Sequence, residues 1–172
     1  LVNLYCYENH ISYLDLSLNL NLEFLDCNSN QITFLNVSQN TALKTLLCTD
    51  NHISYLDLSQ NTLLEILNCS GNKLSNLDLS QNTSITTLDL SNNFISMIDL
   101  SQNIFLEDLN CNSNNLSSLG LDQNILLVNL YCYENHISYL DLSLNLNLEF
   151  LDCNSNQITF LNVSQNTALK TL

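Results

Sequence analysis

Seven cysteines are the most reactive side chains of this 172-residue chain, and all seven lie on one line of its sequence pattern. They are separated by 21 residues or a multiple of 21, which is not the C-x-x-C or Cys/His spacing of a zinc site. Leu90 occupies the same line, so the position favours a small apolar core residue. An odd count also argues against complete disulfide pairing. We expect buried free thiols at Cys6, Cys27, Cys48, Cys69, Cys111, Cys132 and Cys153.

Three histidines are the other candidates for catalysis. His10, His52 and His136 each follow an asparagine at a turn. None has an acidic or nucleophilic partner at a defined inward position, as a catalytic group would need. The sequence therefore predicts no enzyme, no catalytic residue and no cofactor.

These side chains are positioned by an internal repeat of 21 residues. Coils begin at residues 1, 22, 43, 64, 85, 106, 127, 148 and 169, with no insertion, so residues 1–172 form one solenoid without linkers. Residues 1–46 and 127–172 are identical, which indicates a larger block of six coils and 126 residues. Below, positions 1 to 21 count residues within a coil.

The consensus of one coil is L-x-x-L-x-C-x-x-N-x-I-S-x-L-D-L-S-x-N-x-x. Positions 4 and 6 alternate with outward residues, as do 14 and 16, which is the period of a strand with one buried face. Neither half has the 3.6-residue period of a helix. The pattern predicts an all-β solenoid of eight coils with two parallel, in-register sheets, nearly straight and uncapped.

Two columns of asparagine follow the predicted strands. Proline is absent, the only glycines are Gly71 and Gly120, and 30 residues are asparagine. Carboxamides both donate and accept, so they can satisfy turn backbone in place of Gly and Pro. The position 9 column is Asn9, Asn30, Asn51, Asn72, Asn93, Asn114, Asn135 and Asn156. The position 19 column is Asn19, Asn40, Asn61, Asn82, Asn103, Asn124, Asn145 and Asn166.

The segment L-x-x-L-x-C-x-x-N-x-I resembles the signature of leucine-rich repeats over the whole chain. The nested second half, L-x-x-L-D-L, is similar to the 21-residue class called IRREKO repeats. Phrases such as "LDCNSNQIT" are similar to secreted and surface arrays of the Bacteroidetes group. The resemblance implies an extracellular or cell-surface protein.

Aspartates form a row at position 15 of the second predicted strand. Asp57, Asp78 and Asp99 follow one another in consecutive coils, about 4.8 Å apart. Such like charges repel, so a calcium ion is one interpretation. A solvated acidic row is the other.

Aromatic side chains are the most informative outward residues. Position 13 carries Tyr13, Phe34, Tyr55, Tyr139 and Phe160, and the other side carries Tyr5, Tyr7, Phe24, Tyr131, Tyr133 and Phe150. Stacked rings stabilise neighbouring strands. Exposed apolar stripes also mark contact with proteins, sugars or neighbouring rods. Both interpretations remain open.

Sequons of the form N-x-S/T make Asn36, Asn68, Asn115 and Asn162 candidates for N-glycosylation. A fifth, at Asn82, lies in the inward column and is expected to be inaccessible. Modification of any of them requires a glycosylating source.

Charge and hydropathy restrict the partners. Three lysines, no arginine and 17 acidic residues give a net charge of -14, which argues against nucleic acid and anionic membranes. No apolar run reaches the roughly 18 to 20 residues that a membrane-spanning helix needs, so no membrane insertion is expected.

Two functions fit these features. The first is a structural extracellular protein, a segment of a long solenoid that forms or decorates a filament by end-to-end or lateral self-association, since unprotected coil ends favour pairing. The second is a recognition module that binds a surface protein or glycan through its aromatic and acidic faces. A designed repeat protein is a third alternative.

Overall fold

The computed structural model describes residues 1–172, and its regular structure is one parallel sheet of eight strands. Each strand covers positions 3 to 5 of a coil, and consecutive strands pair residue i with residue i+21. The strands are β1 (Asn3–Tyr5), β2 (Phe24–Asp26), β3 (Thr45–Leu47), β4 (Ile66–Asn68), β5 (Thr87–Asp89), β6 (Asp108–Asn110), β7 (Asn129–Tyr131) and β8 (Phe150–Asp152). The predicted repeat and in-register parallel solenoid are confirmed.

The core is a single column of apolar side chains enclosed by the coils. Thirty-nine buried residues form one cluster, with leucine or isoleucine at positions 1, 4, 11 and 14 of most coils. One coil alone cannot cover these side chains, so each coil depends on its neighbours for burial. The structure contains no helix with the length and apolar character needed to cross a membrane.

The second predicted sheet does not form. Positions 14 and 16 face the core as expected, yet residues at positions 12 to 16 donate no backbone–backbone hydrogen bond. The backbone groups of this half of the coil form other hydrogen bonds. The N–H of Ser59 donates to the Asp57 side chain, and the Leu58 carbonyl accepts from Asn61 N–H and from the Asn82 carboxamide. The alternating pattern therefore marks buried residues here without a strand ladder.

The position 9 carboxamides join adjacent coils on the strand side. Asn72 donates from Nδ2 to the carbonyls of Cys48, Cys69 and Ser70, and its Oδ1 accepts from the backbone N–H of Ile53. This pattern recurs along the column and satisfies backbone groups at positions that the ladder does not reach.

The position 19 carboxamides make fewer bonds. Asn82 donates from Nδ2 to the carbonyls of Leu58 and Asn61 in the preceding coil. Its Oδ1 is buried and has no hydrogen-bond partner, like the corresponding oxygens along the column. The two asparagine columns are therefore not equivalent in their hydrogen bonding.

Position 8 is a second turn element that the sequence pattern did not indicate. All eight coils have a positive φ there, between 52° and 63°, in the left-handed region. Only Gly71 is a glycine, and Glu8, Ser29, Asp50, Asn92, Ser113, Glu134 and Ser155 occupy the other coils. The turns thus combine asparagine bonding with a repeated left-handed residue.

Candidate functional site

The strand side presents the outward residues of positions 3, 5 and 7, and it contains two stacked aromatic pairs. The ring centroids of Tyr5 and Phe24 are 4.9 Å apart, and those of Tyr131 and Phe150 are 4.6 Å apart. The pairs form because position 5 of one strand lies diagonal to position 3 of the next, within reach of aromatic side chains. Tyr5 in the first coil is 61% exposed, whereas Tyr131, which also has β6 beside it, is half-buried.

We call Tyr5, Tyr7 and Phe24 the first aromatic patch, and Tyr131, Tyr133 and Phe150 the second aromatic patch. Beside the first patch lies an open concavity of about 380 Å³. Its lining is mostly polar and consists of Tyr7, Glu8, Asp26, Asn28, Ser29, Thr49 and Asn68. This part of the surface offers both ring faces and carboxylates to a partner.

The strand side has a negative electrostatic character. Acidic residues at positions 3, 5 and 8 are Glu8, Asp26, Asp50, Asp89, Asp108, Glu134 and Asp152, and no lysine stands at positions 3, 5, 7 or 8. Two of the three lysines stand at position 2, where Lys44 pairs with Glu23 at 2.8 Å and Lys170 with Glu149 at 2.7 Å, and the third, Lys73, stands at position 10. The carboxylates near the patches are therefore not neutralised by basic side chains of this surface.

The aromatic residues of position 13 lie on the other side of the solenoid and are all exposed. Tyr13 is 72% exposed, and Phe34, Tyr55, Tyr139 and Phe160 are exposed as well. Ring stacking occurs in the two strand-side pairs and not in this column. Cross-strand stacking therefore applies to the strand side, while the column at position 13 consists of separate exposed rings.

The Asp row at position 15 is engaged within each coil. The carboxylates of Asp57, Asp78 and Asp99 each accept the backbone N–H of the serine two residues on, at 2.9 to 3.0 Å. These bonds favour the charged form and hold the pKa of each aspartate below its usual value. No group of three His, Cys, Asp or Glu side chains converges in this row, and the calcium interpretation stays a prediction.

The asparagines of the same position make the same bond, which explains the mixture of residue types. Asn36 Oδ1 accepts from Ser38 N–H and Asn162 Oδ1 accepts from Ser164 N–H, both at 3.0 Å. The row is interrupted at Gly120, where a groove of about 390 Å³ opens between Asp122 and Tyr139. The serine turn, rather than charge, is what the seven Asp and Asn residues of position 15 share.

The cysteines are free thiols, and those of the inner coils are buried. Loss of solvation raises the pKa of Cys27, Cys69 and Cys111 to about 12, with smaller contributions from neighbouring acidic groups or thiols. Burial also raises the pKa of half-buried Cys6 and Cys153. Such thiols are poor nucleophiles and poor metal ligands at neutral pH.

The remaining candidates are dispersed over the surface. His10, His52 and His136 are exposed in turns, and His52 Nδ1 lies 3.0 Å from the Asn51 carbonyl. Among the sequons, Asn36, Asn115 and Asn162 are exposed. Asn68 is half-buried, and its Oδ1 accepts from Ser70 N–H, Ser70 Oγ and Thr49 Oγ1, which makes it the least accessible of the four candidates.

Exposed apolar side chains also occur where the chain turns back toward the sheet, and the sequence analysis missed them. They are Leu20, Leu63, Ile104, Phe105, Ile125, Leu126 and Leu146, at positions 20 and 21. The consensus leaves both positions unspecified, so only a column-by-column inspection of the variable positions would have found them.

The stack of short parallel strands, with leucines inside and asparagines at the turns, is the leucine-rich repeat fold. No family model and no curated protein matches the chain. Among solved structures, the functional domain of InlJ from Listeria monocytogenes, which includes a cysteine ladder, is similar over 98% of this chain, with 44% identity and a TM-score of 0.97. A leucine-rich repeat protein of Leptospira interrogans is similar over 98% of the chain, with 24% identity and a TM-score of 0.92.

A receptor ectodomain has the same fold at lower similarity. The ectodomain of the Arabidopsis thaliana receptor kinase GASSHO1/SCHENGEN3, in complex with CASPARIAN STRIP INTEGRITY FACTOR 2, matches 91% of the chain with 21% identity and a TM-score of 0.84. The chain spans 38% of the InlJ structure, 47% of the Leptospira protein and 22% of the receptor ectodomain. The likeness therefore concerns one stretch of repeats in larger proteins.

Proposed function

We propose that this chain is part of a protein-recognition module that binds its partner on the strand side. The observation that carries the proposal is the stacked ring pair on the outward face of the strands, Tyr5 with Phe24 in the first aromatic patch and Tyr131 with Phe150 in the second. Aromatic side chains at the centre of a contact provide large buried area at low entropic cost. The adjoining carboxylates of Glu8 and Asp26 would add specificity by charge complementarity.

The similarity to InlJ and to a receptor ectodomain in complex supports recognition as the role of such repeats. We propose on the same ground that the chain acts at a cell surface or outside the cell. The similarity to Bacteroidetes arrays and N-glycosylation at the exposed Asn36, Asn115 or Asn162 are parts of the same proposal.

A selection from a random peptide library displayed on phage would test recognition by the strand side. Peptides would be selected on the wild-type chain and then tested on a variant with Tyr5→Ser, Phe24→Ser, Tyr131→Ser and Phe150→Ser. A matched control variant carries Tyr13→Ser, Phe34→Ser, Tyr139→Ser and Phe160→Ser, which removes the same residue types from position 13. We expect binding to be lost only in the first variant.

Two results would count against the proposal. If the selected peptides bind the first variant with the same affinity as the wild type, the strand side is not the binding surface. Loss in the control variant alone would transfer recognition to position 13. Both variants must keep the far-ultraviolet circular dichroism spectrum and the unfolding midpoint of the wild type.

A filament is the second candidate function. Its supporting observation is the uninterrupted in-register pairing of all eight strands, which any further coil of the same sequence could extend. This proposal expects fibres in negative-stain micrographs with an axial repeat of about 29 Å, six strand spacings of about 4.8 Å. Discrete particles at all protein concentrations would exclude it.

A further inference from the structure

We infer that the chain contains two copies of one binding site, and that each takes an arginine- or lysine-rich segment of a protein partner. The inference rests on the proposed recognition by the strand side. It adds the chemical class of the partner and the number of binding sites. The two sites are the first and second aromatic patches, each with the carboxylates of its own coils.

The ring stacking is the same in both patches. The Tyr5–Phe24 rings are tilted by 35° at 4.9 Å, and the Tyr131–Phe150 rings by 31° at 4.6 Å. Residues 1–46 and 127–172 have the same sequence, but the second patch also has β6 beside it, so Tyr131 and Tyr133 are half-buried where Tyr5 and Tyr7 are exposed. Folding thus reproduces the ring geometry as well as the residue types, while Glu134 and Asp152 accept side-chain bonds from Ser113 and Asn154 that Glu8 and Asp26 lack.

The strands between the patches lack aromatic residues at the outward positions. Positions 3 and 5 of β3 to β6 are Thr45, Leu47, Ile66, Asn68, Thr87, Asp89, Asp108 and Asn110. A stripe of rings needed only for stacking would continue through these strands. The arrangement is instead two separate patches on one surface.

The register fixes how the two patches relate to each other. All strands are parallel and pair residue i with residue i+21, so both patches have the same orientation relative to the chain. Six strand spacings of about 4.8 Å separate them by about 29 Å. A partner with a repeated motif could therefore occupy both sites with the same contacts.

The charges favour a cationic partner. The first patch adjoins Glu8 and Asp26, the second adjoins Glu134 and Asp152, and no lysine stands at positions 3, 5, 7 or 8. A guanidinium or ammonium group can lie on an exposed tyrosine ring while it pairs with a carboxylate. Acidic segments and nucleic acid would be repelled by the same surface.

The test uses the capped pentapeptide Arg-Gly-Arg-Gly-Arg, which is at most about 17 Å long and cannot reach both patches. We expect its addition to ¹⁵N-labelled chain to shift amide signals around both patches, with Glu-Gly-Glu-Gly-Glu as the control peptide. In the variant with Tyr131→Ser and Phe150→Ser, the shifts should persist at the first patch and disappear at the second. The variant with Tyr5→Ser and Phe24→Ser should give the converse.

A tandem peptide then measures the spacing. Two pentapeptides whose centres are about 27 residues apart along a Gly/Ser linker have a root-mean-square separation of about 29 Å. Two directly fused pentapeptides reach only about 17 Å between centres. We expect the linked form to bind at least tenfold more tightly than the fused form, measured by fluorescence anisotropy, and either single-patch variant to abolish the difference.

Shifts at only one patch, or equal affinity of the linked and fused forms, would overturn the two-site inference while leaving strand-side recognition intact. Absence of any shift with the arginine peptide would overturn the cationic partner. The phage selection, which presupposes no charge, decides separately whether the strand side recognises peptides at all.

Discussion

The Oδ1 atom of Asn72 accepts a hydrogen bond from the backbone N–H of Ile53 at 3.0 Å, across the boundary between two coils. Ile53 is buried, and its N–H has no other partner in the hydrogen-bond network. A buried donor left unpaired is more costly than the net value of an ordinary hydrogen bond. From Asn30 to Asn156, each position 9 asparagine therefore protects one specific backbone N–H of the preceding coil.

We expect Asn72→Ala to lower the free energy of unfolding by about 3 kcal/mol, because it orphans the Ile53 N–H and removes three donated bonds. Asn82→Ala in the same coil should lower it by about 1 kcal/mol. The carbonyls of Leu58 and Asn61 keep bonds from the N–H groups of Asn61 and Leu64, and the lost Oδ1 had no partner. Urea unfolding of both variants measures the difference, and equal losses would contradict the distinction.

The sequence predicted the repeat, the core positions and the asparagine columns because each recurs in every coil. It did not distinguish the two columns, because Asn72 and Asn82 look alike in sequence and differ only in which backbone groups lie nearby. It also predicted a second sheet that does not form, since alternation reports burial and not hydrogen bonding. The Asp57–Ser59 bond illustrates what alternation cannot reveal.

The candidate site was predictable in part. Tyr5, Tyr7 and Phe24 were identified from their outward positions, whereas the stacking of Tyr5 on Phe24 depends on the diagonal contact between adjacent strands. Exposed Phe105 was missed because its position has no consensus. Features that vary from coil to coil cannot be located from the repeat pattern and are seen only in the structure. These are also the features that can specify a partner.

The buried cysteines should make the fold sensitive to alkaline pH. Burial raises the pKa of Cys27, Cys69 and Cys111 above the unfolded value of 9.0. Their contribution to stability is thus complete below pH 9 and is lost as the pH rises above it, because the unfolded thiols release protons that the folded ones retain. We expect the free energy of unfolding to fall between pH 9 and 10, and to fall less in Cys69→Val.

Thiol labelling checks the same burial kinetically. With iodoacetamide at pH 8, half-buried Cys6 and Cys153 should react first, and Cys48, Cys69 and Cys111 only on unfolding. Mass spectrometry of the digested protein gives the order of modification. Rapid labelling of Cys69 in the folded chain would contradict its burial, and an unchanged stability up to pH 10 would contradict the raised pKa.

The Asp row should contribute a separate sensitivity to acid. The backbone N–H of Ser80 lowers the pKa of Asp78 in the folded chain below the unfolded pKa of 3.8. The bond therefore stabilises the fold fully above pH 3.8, and this stabilisation is lost as the pH falls through the folded pKa. Asp78→Asn keeps an acceptor, as Asn36 does with Ser38 N–H. We expect this variant to unfold like wild type at pH 7 and to lose less stability below pH 3.8.

Asp78→Ala is the matched variant that removes the acceptor. It should unfold at lower temperature than Asp78→Asn at pH 7, because the Ser80 N–H loses its partner. Thermal unfolding at pH 7 and pH 3 compares the three proteins. If calcium held the row together, adding it would stabilise wild type and leave Asp78→Asn less affected, and that result would contradict the turn as the main role of position 15.

The left-handed residues at position 8 are a place where the chain can be stabilised. Ser29 has a φ of 53°, a conformation that costs a residue with a side chain about 1 to 2 kcal/mol more than glycine. Gly71 has the corresponding role in its own coil, with a φ of 63°. Because glycine also makes the unfolded chain more flexible, we expect Ser29→Gly to raise the free energy of unfolding by only about 0.5 kcal/mol.

Ser54→Gly is the control for that change, because Ser54 is exposed and has no positive φ. Only the unfolded-state effect applies there, so the free energy of unfolding should fall by about 0.5 to 1 kcal/mol. Urea unfolding of the two variants should thus give changes of opposite sign. A loss of stability in Ser29→Gly similar to that in Ser54→Gly would mean that position 8 stores no strain, and that the left-handed turn is held by the adjoining Asn30 carboxamide alone.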